Sequence, residues 1–263
     1  LVRSPNVNDR VRAIVFDGDG QVYVGGCYTA IDGAPGARYI ARWDSVSRVW
    51  TNLGVSISGP CYGLHIDTNG LVYAVGAFTN ACGVNANGIA RWDPDLETWA
   101  NLGAGVDGII RAIGADSSGR LYVGGGFSVA GGNPASNLAC WDGAAWTNLG
   151  AGLNGEVFSL LVDTQDFVYA GGLFSEAGGE PAISVARWDG VSWTNLGDGL
   201  GDGLNDGVSA LAMSSNGVLH AGGYFTHSGT QAMHSVAFWN GATWTHLGAG
   251  LEGAVNTMVF DHQ

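Results

Sequence analysis

The chain alternates short apolar runs of four to eight residues with clusters of Gly, Asp, Asn and Ser. Residues 109–155 show the order: IIRAIGA, the turn DSSG, RLYVGGGF, the loop SVAGGNPAS, NLACW, the turn DGA, and AWTNLG. No stretch sustains the 3.6-residue period of an amphipathic helix, so each apolar run reads as a strand and each group of four as one small sheet. Runs such as VRAIVF and LYVGG are apolar on successive residues, as in strands covered on both faces.

The group of four recurs. All ten tryptophans fall into five pairs, Trp43/Trp50, Trp92/Trp99, Trp141/Trp146, Trp188/Trp193 and Trp239/Trp244, each after a glycine-rich aromatic block and before Leu-Gly. Aligned on Tyr28, Phe78, Phe127, Phe174 and Phe225, the copies are spaced by 50, 49, 47 and 51 residues. They cover 11–59, 60–108, 109–155, 156–207 and 208–253, flanked by terminal segments 1–10 and 254–263. The first turn of each copy (DGDG, DTNG, DSSG, DTQD, SSNG) suits a type I hairpin turn, because Asp or Ser bonds its own backbone and Gly tolerates positive φ. The third turn shortens to Asp142-Gly143, Asp189-Gly190 or Asn240-Gly241 in the later copies, a strong hairpin signal. A buried Trp removes about 150–250 Å² from water, worth about 4–6 kcal/mol before entropy, so all ten are expected to hold the repeats together.

Four-stranded units of about 50 residues repeated around a ring make a β-propeller. The expected fold is all-β: a closed five-bladed β-propeller with four antiparallel strands per blade, residues 1–263 forming one domain. A parallel solenoid would favour shorter repeats and is the weaker alternative. The first-strand segment occurs six times, near 11–17, 61–66, 109–115, 157–162, 208–213 and 254–260, so an extra first strand stands at the C-terminus. It fits a piece of a longer array, an overlap at ring closure, or a strand that pairs with the next molecule; the first reading leads.

The doublets Gly25-Gly26, Gly124-Gly125, Gly171-Gly172 and Gly222-Gly223, followed by phrases such as ARWDSVSRVW, resemble the kelch repeat. The longer phrase GGxFxxAGG…ARWDGxxWTNLGxGLNG is similar to repeats of bacterial cell-surface and secreted propellers of unassigned role. Val75 in place of the first doublet Gly, and the short later turns, depart from the kelch pattern. Among kelch-related propellers galactose oxidase is a copper enzyme, but its Tyr, Cys and His constellation has no residue-by-residue match in this chain.

Composition narrows the partners. The 263 residues carry 45 glycines, ten basic residues, all arginine, and 23 acids, for a formal charge of −13. That balance argues against nucleic acid and anionic lipid, and no run is long enough to insert in a membrane. Absence of lysine, low charge and the resemblance point to an extracellular or cell-surface location. The chain begins with Leu1, as expected of a processed protein or a piece of a longer one.

Candidate chemistry is sought in departures from the repeat, since residues shared by every copy build the copy. Asp198, Asp202 and Asp206, in the insertion GDGLGDGLNDG, are candidate calcium ligands, weighed against a solvated loop. His220, His227 and His234 cluster in sequence, but their spacing fixes no metal geometry. Glu176 and Glu180, with His227 and His234, are the candidate ligand contacts of the loop face, and Glu156, Glu176 and Glu180 the candidate carboxylates of a glycoside hydrolase. Of Cys27, Cys61, Cys82 and Cys140, the candidate bridge is Cys61–Cys82, with free thiols as the alternative. No cofactor and no catalytic set is expected. The leading expectation is a non-catalytic structural, adhesion or self-assembling, filament-forming module that associates with itself or with surface proteins and glycans. A multivalent glycan- or protein-binding module and a hydrolase are the alternatives.

Overall fold

The computed structural model describes residues 7–54, 56–201 and 206–260, and all their regular elements are strands. Five four-stranded antiparallel sheets follow one another along the chain. Sheet one is β1 (Val11–Phe16), β2 (Val22–Gly26), β3 (Ile40–Asp44) and β4 (Val49–Thr51). In sheet two, β5 (Cys61–Ile66) and β6 (Val72–Gly76) are joined through a hairpin, β7 (Asn80–Ala81) and β8 (Val84–Asn85), to β9 (Ile89–Asp93) and β10 (Thr98–Asn101). Sheet three repeats this with β11 (Ile109–Ala115), β12 (Leu121–Gly126), the hairpin β13 (Val129–Ala130) and β14 (Asn133–Pro134), β15 (Leu138–Trp141) and β16 (Trp146–Asn148). Sheet four has β17 (Glu156–Val162), β18 (Val168–Leu173), β19 (Glu176–Ala177), β20 (Glu180–Pro181), β21 (Val185–Trp188) and β22 (Trp193–Asn195). Sheet five has β23 (Val208–Met213), β24 (Leu219–Gly223), β25 (His227–Ser228), β26 (Gln231–Ala232), β27 (Val236–Trp239) and β28 (Trp244–His246).

The turn chemistry read from the sequence is present. Asp17, Asp67, Asp116 and Asp163 each accept amide hydrogens from the residues two and four places on, and Ser214 accepts from Val218. Burial opposes ionisation of Asp116, but hydrogen bonds from Ser118, Arg120 and Tyr122 outweigh it and hold its pKa below the ordinary carboxylate value.

First strands pack on one another in sequence, β1 on β5, β5 on β11, β11 on β17 and β17 on β23, and so form the inner side of the stack. Four hydrophobic clusters fill the four junctions between successive sheets. The glycine doublet makes this approach possible. A Cβ on Gly125 would lie 2.0 Å from the Ile109 carbonyl oxygen, within its own sheet, while one on Gly124 would lie 2.5 Å from Val157 of the next sheet. The departure at Val75 is compensated by its cross-strand partner Gly63, where the other copies have Ala13, Ala112, Ser159 and Ala210. A Cβ on Gly63 would meet Val75 at 2.8 Å.

Each tryptophan pair is directly cross-strand, with ring centroids 5.4–5.5 Å apart. The second member ties each sheet to the one before it: Trp99, Trp146, Trp193 and Trp244 donate their indole N–H to the carbonyls of Leu53, Leu102, Leu149 and Leu196. The ten are not equivalent, however. Trp92, Trp99, Trp146, Trp188 and Trp244 are buried, whereas Trp43, Trp50, Trp141, Trp193 and Trp239 are partly exposed.

The described residues do not form a closed ring. Val11, Ile14 and Phe16 of β1 are exposed, Ile14 by 54% and Phe16 by 70%, although the equivalents Cys61 and Leu64 are buried against sheet one and Ile66 is partly buried there. At the other end Leu247 and Leu251 are 46% and 55% exposed, whereas Leu196 and Leu200, one repeat earlier, are buried. The reason is that the surplus segment already holds the place next to sheet five. A Cβ on Gly222 would meet Val255 and Met258, as one on Gly171 would meet Val208 and Leu211. The Val255 amide donates to the Gly223 carbonyl, and the Phe260 ring lies edge-on to His220 at 4.7 Å. Residues 254–260 thus occupy the position of a sixth first strand without forming a β-ladder among the described residues.

Candidate functional site

Every first strand carries a β-bulge at the same place, between Val11 and Ala13, Cys61 and Gly63, Ile110 and Ala112, Val157 and Ser159, and Val208 and Ala210. The extra residue is left out of the ladder and aims its side chain away from it. Those residues are Arg12, Tyr62, Arg111, Phe158 and Ser209, and Asn256 holds the same position in 254–260. All six line one cleft of about 500 Å³ on the inner side of the stack. Its wall is completed by Leu173 and Tyr224, which follow the glycine doublets of sheets four and five. The positions around each bulge stay apolar or small, yet the bulged residue changes in nearly every copy. In a chain built by repetition, this is where variation is gathered in space.

Arg111 sits at the centre of the cleft. Its guanidinium carbon lies 5.6 Å from the Tyr62 ring centroid and 5.5 Å from that of Phe158, and its Nε donates to Glu156 at 2.5 Å. Two aromatic faces and a carboxylate therefore fix its orientation. Arg12 is exposed and has no ion-pair partner among the described residues. The Tyr224 hydroxyl donates to Asn256 Oδ1 at 3.3 Å. No acidic side chain lines the cleft among the described residues.

The residues singled out from the sequence lie elsewhere. Glu176 and Glu180 are exposed on the β19–β20 hairpin, where Glu176 pairs with Pro181 and Ala177 with Glu180. Directly opposed residues share a face and neighbours alternate, so the two glutamates point to opposite faces. Glu156 is engaged by Arg111. His227 begins the β25–β26 hairpin with Thr226 Oγ1 3.2 Å from its Nδ1, His234 is exposed beyond that hairpin, and His220 of β24 lies between the rings of Phe238 and Phe260, the latter edge-on.

Asp202 lies outside the described residues, and no group of three metal-ligating side chains occurs among the described ones. Asp206 instead belongs to a repeated clamp. Asn8, Ser58, Asp107 and Asn154, each just before a first strand, accept two amide hydrogens from the loop after the second strand, and Asp206 accepts from Thr226 Oγ1 at 3.4 Å in the same place. Asp198 sits against Gly229 at the tip of the β25–β26 turn.

Cys61 and Cys82 are thiols and do not form a bridge. Cys61 Sγ is aimed at Gly25 of sheet one, where burial pushes its pKa up to about 12, while Cys82 sits exposed in the β7–β8 turn beside Gly54.

Comparison with known proteins supports the architecture. A family model described as a β-propeller domain of unknown function, DUF5122, matches residues 117–140, from the first turn of sheet three through the glycine doublet into β15. No curated protein matches the chain. Among solved structures, the crystal structure of the computationally designed Ika8 protein is similar with a TM-score of 0.59 and 17% identity. The match covers 96% of this chain and 66% of that one, so the chain spans a little under two thirds of that structure's length. The chain is all-β and built of repeated four-stranded antiparallel sheets of β-propeller type.

Proposed function

We propose that the chain is a non-catalytic structural module: five propeller blades, acting as one unit in an extracellular or cell-surface setting, that assemble with further blades of the same kind. The observation that carries this reading is the pair of end faces. Sheet one presents Val11, Ile14 and Phe16, and sheet five presents Leu247 and Leu251; these are the two halves of a junction that the chain builds four times internally. Tyr28, Ile31, Ala34, Ala37 and Ala41 form the corresponding half-cluster on sheet one, with no sheet opposite among the described residues. Exposed apolar faces of matched shape favour head-to-tail contacts, which extend unless the rotation closes a ring. In the isolated chain the complementary face belongs to a second molecule, whose Val11 and Ile14 take the places of Val255 and Met258.

The alternative of catalysis by loop carboxylates has no support in the geometry, because Glu176 and Glu180 diverge and Glu156 is held by Arg111. Sedimentation velocity tests the assembly. The chain is expected to form concentration-dependent species larger than one chain, increasingly so when 254–263 are removed, and Leu247→Glu with Leu251→Glu to abolish them. A single one-chain species at every concentration, with and without the terminal segment, would sink the reading.

A further inference from the structure

We propose that the inner cleft binds a small carboxylate-bearing ligand with a flat apolar body, anchored by the guanidinium of Arg12 and seated against Tyr224. Three independent observations converge on this site. Its lining residues sit at bulges, where the ladder makes no demand on side-chain identity, so Arg12, Tyr62, Arg111, Phe158, Ser209 and Asn256 are the residues the fold leaves free for a ligand. Its charge runs against that of the molecule. In a chain of formal charge −13, two of the ten basic residues meet here with no acid in the lining among the described residues.

The two arginines also differ in state. Arg111 is neutralised by Glu156 and clamped between two rings, so it shapes the wall, while Arg12 has no acid partner among the described residues. A free guanidinium presents a planar fork that matches a carboxylate with two parallel hydrogen bonds. Ser209 and Asn256 add neutral polar contacts, and Tyr224 and Leu173 supply the apolar surface that a flat body needs. A cleft of about 500 Å³ suits a small molecule or one side chain better than a polymer. Electrostatic repulsion from the rest of the molecule also disfavours long polyanions.

Benzoate, with benzamide as its neutral isostere and inorganic sulfate as an anion lacking the flat body, are suitable probes by titration calorimetry and NMR shift mapping. Benzoate is expected to saturate one site per chain and to shift Tyr224 and Asn256, with sulfate and benzamide each binding at least tenfold more weakly. Arg12→Gln is expected to weaken benzoate at least tenfold while leaving thermal unfolding unchanged, because Arg12 is exposed and outside the ladder. Tyr224→Ala is expected to narrow the gap between benzoate and sulfate. Equal binding of benzoate and benzamide, no effect of Arg12→Gln, or shifts confined to the outer hairpins would overturn the proposal.

Discussion

Replacing Trp244 with alanine is expected to destabilise the protein by about 3–5 kcal/mol, the range for removing a large aromatic from a packed core. It is 1% exposed, its ring packs at a tilt against Trp239 with centroids 5.5 Å apart, and its indole N–H bonds to the Leu196 carbonyl across the junction with sheet four. The substitution opens a cavity in that junction and removes the indole hydrogen bond across it, leaving the Leu196 carbonyl only the Gly199 amide of its own turn. Trp244→Phe keeps most of the packing and loses the hydrogen bond, so a loss of about 1–2 kcal/mol is expected. Trp43→Ala is expected to cost about half as much as Trp244→Ala, because Trp43 is partly exposed and bonds to no neighbouring sheet among the described residues. Urea unfolding of the three variants checks the ranking; equal losses for Trp43→Ala and Trp244→Ala would show that the junctions are not held as described.

A single methyl group in the wrong place is expected to do comparable damage. The Cβ of Gly125→Ala would fall 2.0 Å from the Ile109 carbonyl oxygen and 2.9 Å from the Ile110 Cα, so backbone meets backbone and no side-chain rotamer relieves the clash. The β11 strand must move off β12, which disturbs the bulge and the ladder together. Overpacking of this kind costs about 1–3 kcal/mol where side chains can adjust and more where they cannot, so a loss of about 3 kcal/mol or greater is expected. Gly18→Ala is the control, since nothing lies within 4 Å of its Cβ position, and it is expected to stay within about 0.5 kcal/mol of the parent. Thermal unfolding of the pair distinguishes a steric role of the doublet from a general cost of replacing glycine. Similar losses in the two would contradict the steric one.

The periodic features of the fold were legible in the sequence because they recur at fixed offsets. The tryptophan pairs recur five times, and the Asp turns and glycine doublets four times each, every copy meeting the same local geometric demand, so that one copy teaches the reader the next. The cleft was not legible for the opposite reason. Arg12, Tyr62, Arg111, Phe158 and Ser209 share a position but not a chemistry, and only the bulge, a property of the paired backbone, shows that they belong together. Asp206 stands out in the sequence as part of an acidic insertion, and its place in the loop clamp is hidden there. Its equivalents, Asn8, Ser58, Asp107 and Asn154, differ in type while accepting the same loop hydrogens. Closure is not legible from the repeat, because Leu247 reads in sequence like Leu53, Leu102, Leu149 and Leu196. What separates them is the neighbour that covers each, and 254–260 takes the place that sheet one would need beside sheet five.

Whether the stack is open is tested most directly by hydroxyl-radical footprinting of the dilute chain, read residue by residue by mass spectrometry. An open stack predicts that Phe16, Leu247 and Leu251 are oxidised far faster than their buried counterparts Leu53, Leu196 and Leu200 in the same molecule, with the difference shrinking as concentration rises and the end faces meet. Protection of Phe16, Leu247 and Leu251 equal to that of the interior leucines at the lowest concentration would mean that sheet one packs on sheet five within one chain, and would contradict both the open stack and its assembly.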